Sequence, residues 1–122
     1  MNKNTKFFKI NDLNLIGIQY GFFSRLGGYS VKKNTSLNCS LNSGDQKDKV
    51  LKNIELTKEK LGFNYTKIKF LNQNHSTNVE LISNQNFNTN TSADGSLTIE
   101  KNICLAILLS ILLCLIIAVI AD

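Results

Sequence analysis

"ICLAILLSILLCLIIAVIA", residues 103–121, runs for nineteen residues without a charge. Wound as a helix it would be about 28 Å long, close to the roughly 30 Å hydrocarbon core of a bilayer, so one reading is a membrane-spanning segment. Only Asp122 follows it and lysines precede it, which would make it a C-terminal anchor with the body in the cytosol. A strand buried on both faces is also a continuous apolar run, usually of about four to eight residues. On that reading Ile103–Leu108 is a central strand, and residues 109–122 form an aberrant apolar tail.

Working back from this segment, the chain alternates strand and helix signals. "FFKI" (7–10) and "LIGIQYGFF" (15–23) are rich in β-branched and aromatic residues and lead into a Gly27-Gly28 turn. "SGDQKDKVLKNIELTKEKLGF" (43–63) changes period. It offers Asp45 as an N-cap, Val50, Leu51, Ile54 and Leu61 near one face, and Gly62 as a stop, which predicts a helix over about 46–61. Strand signals return in "KIKFL" (67–71) and "NVELI" (78–82). The Asn-rich "SNQNFNTNTSADG" reads as a loop before "SLTI" and "ICLAIL". The fold class is therefore α+β, a mixed β-sheet with one packed helix, and 122 residues hold at most one domain.

Charge narrows the partners. The net +5 is spread over lysines such as Lys32, Lys33, Lys47, Lys49, Lys52, Lys58, Lys60, Lys67 and Lys69, several beside acids. No block suited to following a phosphate backbone is formed, so nucleic acid is not an expected partner. The start, "MNKNTKFFKINDLNLIG", lacks the apolar stretch of a cleaved secretory signal, and a cytoplasmic location is expected. Three cysteines, Cys39, Cys104 and Cys114, lack paired spacing, which argues for thiols, either buried or metal-facing, over a disulfide framework.

Two singletons carry the candidate chemistry. Arg25 is the only arginine, in "FFSRLGGYS" (22–30). Its planar guanidinium can hold a carboxylate or phosphate through two parallel bonds, and consecutive glycines can turn backbone N–H groups into one anion-binding concavity. The competing reading is a tight hairpin turn with a surface arginine. His75 is the only histidine, in "LNQNHSTNVEL", at the end of a strand. One imidazole cannot hold zinc, so as a ligand His75 needs partners from Cys39, Cys104, Cys114, a carboxylate or another chain.

Taken in order, "YGFFSRLGGYS", "SLNCSLNSGDQKDKVLKN", "NQNHSTNVELI" and "SADGSLTIEKNICLAIL" resemble the successive signatures of the laccase-domain family. Its members are also called multicopper polyphenol oxidases and are described as multifunctional purine nucleoside phosphorylases. The resemblance implies a zinc ligand at His75, with copper an alternative metal. Gln73 stands two positions before that histidine. The resemblance implies substrate or phosphate binding at Arg25, Gly27, Gly28, Ser30, Asn38 and Gln73. Asn38 and Asp94 match further patterned positions. The implied substrates are phosphate with adenosine, inosine, guanosine or methylthioadenosine, and the implied second activity is deamination of adenosine. Tyr20 departs from the family's usual histidine.

After "ICLAIL" the resemblance fails. The family continues with T-A-D-C-x-P and later H-A-G-W-R-G, which supply a ligand cysteine and a second histidine. Here Leu112 occupies the cysteine's place, Cys114 lies two positions late, and no other histidine occurs. The expectation is that residues 1–108 are the N-terminal part of a laccase-like domain, an incomplete half that is inactive unless another polypeptide adds the missing ligands. Two other classes stay open: a small tail-anchored membrane protein, attached through residues 103–121, and a soluble module keeping only an anion site at Arg25.

Overall fold

Val50, Ile54 and Leu61 recur at helical spacing, and the helix they specify, α1, spans Lys47–Leu61. Its end is as expected: Gly62 takes φ 80° in the left-handed region and its N–H returns to the carbonyls of Lys58 and Glu59. Its start is not. Gln46 occupies the N-cap without a side-chain bond, and Asp45 lies one residue outside, accepting the Gln46 N–H at 2.8 Å. Leu51 is exposed, and the buried stripe contains Asn53 and Thr57 instead.

The computed structural model describes residues 4–9, 18–62, 67–108 and 115–120. Its strands are β1 (Phe7–Phe8), β2 (Ile18–Phe23), β3 (Lys67–Phe70), β4 (Val79–Leu81), β5 (Gly95–Leu97), β6 (Ile103–Leu108) and β7 (Leu115–Ile120). Five of them form one sheet in the order β1-β2-β7-β6-β3. In it β3 runs parallel to β6, and the other neighbours are antiparallel. β4 and β5 make a separate parallel pair, joined to the end of β3 by a bridge between Asn72 and Ser92. The first strand signal is shorter than "FFKI", and the part of the second at 15–17 lies outside the described residues.

This topology corrects the membrane-helix reading of residues 103–121. Ile103–Leu108 and Leu115–Ile120 are antiparallel strands in register from Leu105 opposite Ala118 to Leu108 opposite Leu115. Among the described residues no helix is long and apolar enough to cross a membrane. Twelve of the nineteen uncharged residues lie in these two six-residue strands, both placed inside one sheet, between β2 and β3. Residues 109–114, which open the segment expected to be an aberrant apolar tail, lie outside the described residues.

The alternation along β6 sets two cores. Cys104 and Ala106 face α1 and pack with Phe23, Leu37, Val50 and Ile54. Ile103 belongs to a second cluster with Leu71, Ile82 and Ala93, against which Leu105 packs. Phe7 stacks on Phe23 with ring centres 5.2 Å apart, fixing the short β1 to the sheet. Burying side chains of this size contributes about 1.5–3 kcal/mol each, so the helix–sheet cluster dominates the stability.

Candidate functional site

Arg25, Gly27, Gly28 and Ser30 follow β2 directly, but the turn does not close a hairpin, since β2 pairs with β1 and β7. The chain instead folds back against residues 34–38. The Arg25 carbonyl accepts the N–H groups of Ser36 and Leu37, and the Ser30 N–H donates to the Ser36 carbonyl. The exposed Arg25 guanidinium donates to the Thr35 carbonyl at 3.3 Å.

Both glycines are required by close approach. Gly27 has φ 88°, and a Cβ there would strike the backbone of Thr5. A Cβ on Gly28 would meet the Ser36 carbonyl, and Asn53 Oδ1 at 2.6 Å. The amides of the turn converge on protein oxygens: Gly28 N–H on Ser36 Oγ at 3.1 Å and Tyr29 N–H on Asn53 Oδ1 at 2.7 Å.

Asn53 is the residue that organises this region, and sequence reasoning missed it. It is 0% exposed, and its Nδ2 donates to Ser30 Oγ (3.0 Å), the Ser36 carbonyl (3.2 Å) and the Asn38 carbonyl (2.8 Å). A signal existed, because an amide at 53 falls on the apolar stripe between Val50 and Leu61, where an unpaired polar group would be costly. Asn38 continues the network, donating to Ser43 Oγ at 2.7 Å and Asp45 Oδ2 at 3.0 Å. The Ser30 hydroxyl and then the Asn38 amide hold the Asp45 carboxyl below its ordinary range.

The second group lies beyond the end of β3. Gln73 Oε1 accepts the Leu108 N–H at 3.0 Å, tying the outgoing loop to the end of β6. Asp94, which precedes β5, gathers that loop by accepting the N–H groups of Asn74 (3.3 Å), His75 (3.1 Å) and Ser76 (2.6 Å), with the Ser76 hydroxyl at 2.9 Å. The Ser76 amide first, with its hydroxyl and the His75 and Asn74 amides, lowers the Asp94 pKa. His75 takes φ 57°, a left-handed conformation this cradle sustains, and stands exposed.

The described residues do not make a zinc site. They contain no group of three or more histidine, cysteine or acidic side chains placed to hold a metal. Cys39 and Cys104 are buried in the helix–sheet core, where burial pushes both thiols up to about 12. That resolves these two as core residues. Cys114 lies outside the described residues.

Residues 19–118 match the family described as multi-copper polyphenol oxidoreductase laccase. Similar solved structures include the Neisseria meningitidis protein NMB0706 of the DUF152 family, at 22% identity and TM-score 0.69, covering 98% of this chain and 51% of that one. YlmD from Geobacillus stearothermophilus is 19% identical with TM-score 0.73, covering 100% and 52%. The hypothetical protein YfiH of Bacillus licheniformis is 21% identical with TM-score 0.70, covering 88% and 42%. At these identities the likeness establishes the fold, and the chain spans about half the length of these structures or less. A search of curated proteins finds no match.

Proposed function

Because the chain belongs to the multi-copper polyphenol oxidoreductase laccase family, we propose that it carries the Arg25- and His75-bearing half of a purine nucleoside phosphorylase that also deaminates adenosine. The observation that carries the reading is the Asp94 cradle. Three backbone amides and a hydroxyl converge on one carboxylate, and the result is to hold the chain's only imidazole in an unusual backbone conformation on the surface.

Phosphorolysis of an N-glycosidic bond requires a held phosphate nucleophile and stabilisation of positive charge on the sugar. With the Gly28 and Tyr29 amides committed to Ser36 and Asn53, the phosphate grip in this reading falls to the Arg25 guanidinium. Gly27, Gly28, Ser30 and Asn38 shape the turn that presents it, and Gln73 and Asp94 place His75. Zinc, or copper as the family's name suggests, is assigned to His75 in this reading, with the other ligands coming from outside the described residues.

These 122 residues contain one histidine, so the proposal includes that the chain alone is inactive and gains activity with a polypeptide corresponding to the rest of such a domain. The apolar surface of the parallel β4–β5 pair favours this: Val79, Leu81 and Leu97 are exposed, whereas parallel strands are ordinarily covered on both faces. The test measures ribose 1-phosphate released from inosine and phosphate, with metal content determined in parallel, for the chain alone and after addition of a family member's C-terminal half. Activity only in the mixture, lost on His75→Ala, is expected. A mixture that forms a complex and takes up metal yet does not turn over would overturn the reading.

A further inference from the structure

Among the described residues β4 is paired along one edge only, by the parallel strand β5. Two bonds fix which backbone groups face that partner. The Gly95 N–H donates to the Asn78 carbonyl at 3.2 Å and the Ile82 N–H donates to the Leu97 carbonyl at 2.8 Å, so Asn78 and Ile82 face β5. Alternation along the strand then turns the N–H and C=O groups of Val79 and Leu81 outward. The Leu81 carbonyl agrees, accepting Asn86 Nδ2 at 2.8 Å. Among the described residues the Val79 N–H, the Val79 carbonyl and the Leu81 N–H have no protein partner.

We propose that this edge accepts, as an added strand, an extended segment of another polypeptide that carries a lysine or arginine between two apolar residues. The inference goes beyond the activity proposed above and would hold if that activity failed. Native edge strands are commonly guarded by lysine, proline or a bulge. β4 has none of these: it reads Val79-Glu80-Leu81, and its register with β5 runs without a break. Both ends are already held. The Asn78 carbonyl accepts the Asp94 and Gly95 N–H groups, and Asn86 ties the Leu81 carbonyl to the Ser83 N–H, the latter at 2.8 Å. An edge anchored in this way loses little further freedom when a strand joins it.

The side chains select the occupant. Val79 and Leu81 share a face with Leu97, which lies opposite Leu81, and all three are exposed. Apolar residues at alternate positions of an added strand extend that face. Glu80 points to the other face, is exposed, and among the described residues forms no ion pair. In an antiparallel addition bonded through Val79 and Leu81, the residue opposite Glu80 sits in the closer, non-hydrogen-bonded kind of pair, with Cα atoms about 4.5 Å apart. A cation there is attracted and a carboxylate repelled. The same geometry disfavours a second copy of this chain. A two-fold pairing that uses both outward residues sets Val79 against the copy's Leu81, and Glu80 against the copy's Glu80.

The test adds two blocked peptides, Thr-Ile-Lys-Ile-Thr and Thr-Ile-Glu-Ile-Thr, up to millimolar concentration to the whole isotope-labelled chain, and follows amide exchange residue by residue. The lysine peptide is expected to slow exchange at the Val79 and Leu81 N–H groups along a saturable curve, and the glutamate peptide to bind about tenfold more weakly. Glu80→Lys, a change at an exposed side chain, should reverse that order. Exchange unaltered by either peptide, equal affinity for the two, or an order that Glu80→Lys leaves in place would overturn the proposal. So would protection of the same amides that rises with protein concentration alone, with a dimer in sedimentation, since the edge would then belong to a second copy. Peptide binding by a chain that shows no turnover with its complementing half would support strand addition while removing phosphorolysis. Turnover with no protection at β4 would do the reverse.

Discussion

The carboxylate of Asp94 accepts both hydrogen bonds that Ser76 can donate, from its backbone N–H at 2.6 Å and from its hydroxyl at 2.9 Å. A residue just before β5 thereby fixes a loop that leaves β3 some twenty residues earlier, and His75 is carried with it. The cradle consists wholly of donors aimed at an acceptor, so its strength depends on the carboxylate remaining ionised.

Lowering the pH should therefore release it. Asp94 and Asp45 both have folded-state pKa values below the ordinary 3.8, so each contributes stability that is fully present above the unfolded pKa and is lost as pH falls through the folded value. Thermal melts between pH 6 and pH 2 should show Tm falling most steeply at the acid end. Asp94→Asn should flatten part of that slope and leave the share belonging to Asp45. An unchanged slope would remove Asp94 from the account.

Asn53 makes a larger and pH-independent contribution. Truncation to alanine removes the acceptor for Tyr29 N–H and the donors to Ser30, Ser36 and Asn38 inside the core, a loss of about 2–4 kcal/mol. Urea denaturation reads it directly, and a loss under about 0.5 kcal/mol would mean that water replaces the network without cost.

The glycines separate two causes. At Gly28 an added Cβ meets backbone, so Gly28→Ala should prevent folding or cost far more than a change at an open position. At Gly44 nothing lies within 4 Å, and only φ 75° opposes a side chain, so Gly44→Ala should cost about 1 kcal/mol. Equal effects in denaturation would show that the close contacts at Gly28 add nothing to the cost.

Cys39 and Cys104, buried and with thiols raised to about 12, should resist alkylation in the folded protein at pH 8 and react once urea unfolds it. A Cys114→Ser background isolates the two for mass spectrometry. Fast labelling of either without urea would place it outside the core described above.

Much of this could be read from the chain. The period of Val50, Ile54 and Leu61 and the stop at Gly62 specify α1, because burial of one helical stripe and a left-handed cap are local requirements. "KIKF" and "ICLAIL" announce strands for the same local reason. The order of four motifs pointed to the family that residues 19–118 match. Other features depended on contacts distant in sequence. Periodicity could not decide whether residues 103–121 hold a membrane-spanning helix or a buried strand at 103–108 followed by a short tail, since an uncharged run satisfies both. The pairing of β7 with β2, contributed from the other end of the chain, settles it. The glycine pair is likewise silent about its purpose until Ser36 and Asn53 come to rest against it. Sequence determines what a segment can bury. Where its polar groups find partners is decided only when residues 22 to 24 positions apart, such as Thr5 with Gly27 or Tyr29 with Asn53, are brought within hydrogen-bonding distance by the collapse of the core.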